Sequence, residues 1–118
     1  MVAYNHLELL SRGPVSVVRL LNHKLRFQEE VDELAAEWSV VADCPDCRTL
    51  VVDCSRCPVL RSEMLSKLIS LERRLKRKEG KLVLCGMRCE ARQLLRWTKL
   101  DRLFEVKEDT VHEAPARA

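Results

Sequence analysis

Apolar positions in this chain change period several times, and each change marks an element. Phe27, Val31, Leu34, Ala35, Trp38 and Val41 recur at helical spacing and fall on one face. Glu29, Glu30, Asp32 and Glu33 crowd the first turns of that helix, where its dipole favours anions. Cys44-Pro45-Asp46-Cys47 breaks the pattern. Thr49-Leu50-Val51-Val52-Asp53-Cys54 is then a continuous apolar run ending at a carboxylate, and lacking polar alternation it predicts a strand covered on both faces. Ser55 to Leu60, with Pro58, predicts a loop.

The next helix carries Leu65, Leu68, Ile69 and Leu75 on one stripe, interrupted by Glu72 and flanked by Leu71. Gly80 closes it as a C-terminal cap residue. Lys81-Leu82-Val83-Leu84-Cys85 predicts a second buried strand, ended by Gly86. A third helix is predicted from about Arg88 to Thr98, with Ala91, Leu94 and Leu95 inward. Leu103, Phe104 and Val106 predict a last short strand. Before all of these, Leu7 to Leu10 and the β-branched segment Val15 to Leu20 flank Arg12-Gly13-Pro14, which predicts a hairpin.

Strand–helix–strand units with buried strands imply right-handed crossovers and a largely parallel sheet, and the hairpin adds an antiparallel element. The expected class is α/β: one domain over residues 1–107, with a mixed, mostly parallel sheet of four to five strands and about three helices. Residues 108–118 have little to bury and read as a flexible C-terminal tail. The chain of 118 residues suffices for one core, and 47% apolar with 33% charged residues excludes disordered and low-complexity classes. The longest apolar run is far short of the ~20 residues that span a bilayer, so no membrane insertion is expected. Net charge is +3, which by itself points to no class of partner. Met1 to Arg12 lack a basic start followed by an apolar stretch, so the six cysteines are expected in a reducing cytoplasm rather than in disulfides.

Two Cys-x-x-Cys pairs, Cys44/Cys47 and Cys54/Cys57, invite a zinc site. An intervening strand at about 3.3 Å per residue holds the pairs roughly 20 Å apart, which argues against one shared ion. A thioredoxin-like role is disfavoured because Cys44-Pro45-Asp46-Cys47 precedes a strand instead of opening a helix. A second arrangement places Cys54, Cys57, Cys85 and Cys89 at one edge of the sheet as a cysteine-based metal or redox sensor. The plainer reading makes Cys54 and Cys85 small buried hydrophobes, and no metal or cofactor is assigned. The basic stretch Arg73-Arg74-Leu75-Lys76-Arg77-Lys78 has flanking glutamates and no interleaved aromatic residue. It is expected to be a solvated helix face rather than a nucleic-acid site. His6, His23 and His112 are scattered, Trp38 and Trp97 read as core or interface anchors, and nothing argues for catalysis.

The segment from Asp53 to Lys67 is different. A buried strand ends in Asp53-Cys54-Ser55, a loop follows, and Arg61-Ser62-Glu63-Met64-Leu65 begins a helix. In open α/β sheets ligands and partners meet that edge. Ser62 is the expected N-cap, and a helix start attracts phosphate through its free N–H groups.

These residues resemble the STAS family (sulfate transporter and anti-sigma factor antagonist). The resemblance rests on Thr49 to Ser55, Val59 to Leu68, Gly80 to Gly86, and Leu100-Asp101-Arg102-Leu103-Phe104-Glu105-Val106. In family members that antagonise anti-sigma factors, the second helix opens with Asp-Ser-Ser-Gly-Leu-Gly. The second serine is phosphorylated by a kinase that is also the anti-sigma factor. That motif falls here on Arg61-Ser62-Glu63-Met64-Leu65-Ser66. The first serine is kept as Ser62 and the leucine as Leu65. Arg61 replaces the aspartate, Glu63 the phosphorylated serine, and Met64 and Ser66 the glycines.

The resemblance implies a cytoplasmic, non-enzymatic module of bacterial partner-switching signalling. Its partner would be a protein resembling an anti-sigma factor or serine kinase, not a nucleic acid. Arg61, Ser62, Glu63, Met64, Leu65 and Ser66 would form the contact, and Asp53 and Ser55 would shape the neighbouring loop. Glu63 cannot be phosphorylated, which leaves the neighbouring Ser62, or Ser66, as candidates. The family also implies an alternative, a regulatory subunit of a transporter or lipid-transport assembly.

Overall fold

A computed structural model describes residues 6–21, 28–56, 62–87 and 89–107. In chain order the elements are β1 (Leu7–Ser11), β2 (Val15–Leu20), α1 (Gln28–Ala42), β3 (Thr49–Asp53), α2 (Ser62–Lys76), β4 (Lys81–Cys85), α3 (Cys89–Trp97), a 3-10 turn (Leu100–Arg102) and β5 (Glu105–Lys107). The strands form one sheet in the order β1-β2-β3-β4-β5. The β1–β2 hairpin is antiparallel and the other three pairings are parallel. The predicted α/β class and mixed sheet are therefore present.

Strand order follows chain order, so one-handed crossovers put successive helices on the same face. The buried residues bear this out. Leu7, Val18, Leu20, Leu50, Val52, Leu82 and Leu84 pack in one cluster with Val31, Leu34, Trp38 and Val41 of α1. Met64, Leu68, Leu71 and Leu75 of α2 and Ala91 and Leu95 of α3 complete it. Each fully buried leucine contributes about 2 kcal/mol of apolar burial. Contrary to the expectation of a strand covered on both faces, helices cover β3 on one side. Leu50 and Val52 face the core, while Thr49 and Val51 are half-buried on the opposite side. That side pairs Arg19 with Asp53 and Asp53 with Cys85 in register.

Element ends differ from expectation in instructive ways. In the hairpin, Leu9 pairs with Val18 but Ser11 with Val17, so Leu10 is the extra residue of a bulge. At the end of α2, Gly80 N–H donates to Leu75 O at 2.8 Å and Glu79 N–H to Lys76 O at 3.0 Å, the paired bonds of a Schellman ending. The left-handed residue of that ending is Glu79, with φ 61°, not Gly80. Gly80 answers a different need, since a Cβ there would lie 2.2 Å from Arg48 O. The last strand starts at Glu105, not at Leu103 as expected, because Leu100–Arg102 turn as a 3-10 segment, and Phe104 is buried just before it. The tail from 108 to 118 lies outside the described residues.

The basic run on α2 is only partly a solvated face. Arg73, Lys76 and Arg77 are exposed. Arg74 Nη1 donates to both carboxylate oxygens of Asp43, at 3.0 and 2.9 Å. Lys78 Nζ donates to Ala42 O and to Cys44 O. Arg48 Nη1 donates to Lys78 O at 2.8 Å. Together these fasten the α1–β3 turn to the end of α2, satisfying carbonyls that the end of α1 leaves open.

Candidate functional site at the carboxyl edge of the sheet

Three parallel strands, β2, β3 and β4, deliver the chain to one edge, and α1, α2 and α3 all begin there. Asp53 ends β3 with no exposed surface. Its Oδ2 accepts from Arg19 Nε at 3.0 Å, and its Oδ1 accepts from Ser55 N–H at 2.9 Å. Burial of a carboxylate is tolerated only with such partners. Asp53 thus fixes the first step of the β3–α2 loop and offers no surface to a partner, while Ser55 is half-buried. Arg61 lies outside the described residues. Ser62, expected as the N-cap, is the first residue of α2, and its side chain also lies outside the described residues.

The next residues divide sharply. Glu63 and Ser66 are exposed, whereas Met64 is 1% and Leu65 7% exposed. Met64, Leu68, Leu71 and Leu75 are spaced at four, three and four residues, so one helical stripe carries them into the core. Of the expected contact residues with described side chains, Glu63 and Ser66 face solvent. Met64 and Leu65 hold α2 against the sheet.

A feature not anticipated from sequence lies beside them. Lys67 Nζ is 2.9 Å from Asp32 Oδ1, joining the head of α2 to the head of α1. Gln28 Nε2 donates to the same oxygen at 2.9 Å. The Lys67 hydrogen bond, then that of Gln28, holds the Asp32 carboxyl below its ordinary range. Glu63 lies one turn before Lys67, and Gln28 one turn before Asp32, so both residues lead to the same edge. Glu29, Glu30, Asp32 and Glu33 read from sequence as dipole partners. Of the four, Asp32 meets α2 in the structure, through Lys67, while Glu33 Oε1 lies 2.8 Å from His6 Nε2. The acidic cluster was visible in the sequence, but nothing there placed Asp32 beside α2.

The cysteines do not converge. Cys54 N–H donates to Cys85 O at 2.8 Å, so the two residues are neighbours as expected. Cys85, however, shares a face with Asp53, while Cys54 belongs to the core on the helix side. Alternation along a strand sends consecutive side chains to opposite faces, which is why adjacency did not bring the thiols together. Cys89 is exposed at the head of α3, and Cys57 lies outside the described residues. Among the described residues no group of three or more His, Cys, Asp or Glu could hold a metal. His6 is buried, with Nε2 2.8 Å from Glu33 Oε1. Its backbone N–H donates to Glu37 Oε1, so it fastens the approach to β1 onto α1. His23 and His112 lie outside the described residues. Trp38 is core, as one expected alternative had it, and Trp97 is 73% exposed. Among the described residues no helix is long and apolar enough to cross a membrane.

The family model described as STAS domain matches residues 20–114. The chain belongs to the STAS family. Solved structures agree on the fold. An anti-sigma-factor antagonist (STAS) domain protein from Planctomyces limnophilus superposes with a TM-score of 0.77 at 18% identity, covering 94% of this chain and 96% of its own. The anti-sigma factor antagonist SpoIIAA in its unphosphorylated form gives 0.71 at 20% identity, covering 98% and 95%. The Bacillus cell fate determinant SpoIIAA in its phosphorylated form gives 0.67 at 21% identity, covering 98% of each chain. No curated protein sequence matches the chain. At these identities the likeness speaks for the STAS fold.

Proposed function

We propose that this STAS domain is a non-catalytic protein-binding module of bacterial partner-switching signalling. It acts in the cytoplasm on a partner related to anti-sigma factors with serine-kinase character. The partner docks on the head of α2. Glu63 and Ser66, with Arg61 and Ser62, supply the contact. Asp53 and Ser55 set the loop that leads to it, and Met64 and Leu65 position the helix from within.

The observation that supports this reading is the division of the first turn of α2 into exposed Glu63 and Ser66 and buried Met64 and Leu65, where the motif alignment sets the family's phosphoserine. By that alignment Glu63 takes the position, and it is exposed on a helix whose inner residues are fully packed. The scaffold that presents the position is intact, and the phosphorylatable hydroxyl is replaced by a carboxylate. Glu63 carries one permanent negative charge, against about 1.5 to 2 for phosphoserine. The surface is therefore fixed in a partly charged form, without a phosphorylation cycle at that position. Arg61, and Asp32 of α1 beside Lys67, give it charges different from those of the family motif, and such rim charges chiefly set partner choice and association rate.

The test is affinity purification from the native cell with wild type and the Glu63→Lys/Ser66→Arg variant, read by mass spectrometry. A kinase-like regulatory protein captured by wild type and lost from the variant supports the proposal. Equal capture by both removes the head of α2 from the interface. Recovery of an integral membrane transport assembly instead would favour the transporter-regulating role that other STAS domains have.

A further inference from the structure

At the opposite, amino edge of the sheet, Cys44 and Cys47 follow α1 and precede β3. Cys47 N–H donates to Cys44 O at 3.0 Å, closing a four-residue turn around Pro45 and Asp46. Such a turn brings its end Cα atoms within about 7 Å, and disulfides span about 4.4–6.8 Å between Cα atoms. Both residues touch the same apolar cluster. Cys47 is fully buried in it, and Cys44 packs against its rim, half-exposed.

The sulfurs are lightly held. Cys44 Sγ donates to Val40 O at 3.7 Å, and Cys47 Sγ donates to Thr49 O at 3.7 Å, both long contacts with little to lose on rotation. Arg12 Nη2 donates to Cys44 Sγ at 3.2 Å, reaching across from the hairpin turn. That guanidinium is equally able to donate to an oxygen carried on the same sulfur. Cys54 and Cys85 lie far along the strands and Cys89 begins α3 at the other edge, so Cys47 is the neighbour of Cys44 among the described cysteines.

We propose that Cys44 and Cys47 are a modification site for hydrogen peroxide, closing to an intramolecular disulfide at the end of α1. The Cys44 sulfur attacks one peroxide oxygen. An S–O bond forms, the O–O bond breaks, and the second oxygen leaves as water, giving a sulfenic acid. The Cys47 sulfur then attacks the Cys44 sulfur. The S–S bond forms, the S–O bond breaks, and the hydroxyl leaves as water with the Cys47 proton. Two thiols are oxidised and one peroxide is reduced to two waters. A dithiol reductant reverses the product by exchange. The disulfide would fix covalently the turn that Lys78 and Arg74 already fasten to α2. The site lies at the edge away from the proposed docking surface and does not rest on that reading.

The test treats the folded, reduced protein with hydrogen peroxide, then denatures it, alkylates free thiols and digests with trypsin. Both cysteines fall in one tryptic peptide, Phe27 to Arg48. The expected product is that peptide unalkylated and about 2 Da lighter than its reduced form, reverting to the doubly alkylated form after dithiothreitol. Cys44→Ser, checked for folding by circular dichroism, is expected to yield no lighter peptide and to keep Cys47 alkylatable. Persistence of the doubly alkylated wild-type peptide after peroxide would overturn the proposal. So would Cys44 recovered as a sulfinic acid beside an alkylated Cys47, or either cysteine joined to another peptide.

Discussion

Arg19 and Asp53 face each other in the β2–β3 register, and Arg19 Nε donates to Asp53 Oδ2 at 3.0 Å. The carboxylate is wholly buried, while the guanidinium keeps some access to water. Removing the cation leaves a buried charge with the Ser55 N–H as its remaining described partner. Arg19→Met is therefore expected to lower the unfolding free energy by about 3 kcal/mol, measured by urea denaturation. Adding Asp53→Asn should restore part of that loss, because the amide oxygen can still accept from Ser55 while the charge is gone.

Lys67 and Asp32 give a pH signature. The folded Asp32 carboxyl titrates below its ordinary value of 3.8, first through the Lys67 hydrogen bond and then through Gln28. A depressed carboxylate stabilises the fold above its unfolded value, and that contribution fades as pH falls through the folded value. Lys67→Met should move the Asp32 carbon resonance midpoint upward in an NMR titration. It should also reduce the loss of stability below pH 3.8, with no change in pH slope near neutrality. High salt should shift the wild-type midpoint the same way, because the pair is exposed.

Met64 separates folding from docking. Met64→Ala removes a fully buried side chain and is expected to cost about 3 kcal/mol in denaturant unfolding. Glu63→Ala, one residue earlier and exposed, should stay within about 0.5 kcal/mol of wild type. Equal losses from both would contradict the division of that helix turn into an inner and an outer face.

Most of the architecture was legible in the sequence because periodicity records burial directly. α1 is written in Val31, Leu34, Trp38 and Val41, and the β3 and β4 cores in Leu50, Val52, Leu82 and Leu84. The burial of Met64 was legible too, in its spacing to Leu68, Leu71 and Leu75, but family position pointed to a contact role instead. Three features were not legible. Arg19 meets Asp53 across 34 positions of chain, a pairing that only the strand register creates. The opposite facing of Cys54 and Cys85 depends on where β3 and β4 align. Asp32 of α1 comes to the site through packing against α2, not through any local pattern.

Gly80 and Glu79 exchange the roles that a helix ending usually gives them. Gly80→Ala would press a Cβ to 2.2 Å from Arg48 O, a backbone atom with little freedom to retreat. A loss of about 2 kcal/mol or more is expected in thermal or urea unfolding. Glu79→Gly should act in the other direction and gain up to about 1 kcal/mol, because glycine adopts φ 61° without the steric cost an L side chain incurs.

Hydrogen exchange on the complex with the captured partner puts the docking surface to its most direct test. The account predicts slowed exchange at Glu63 to Lys67 and at the first turns of α1, with the Cys44 to Arg48 turn unchanged. Protection confined to that turn, or to the outer strands β1 and β5, would contradict it.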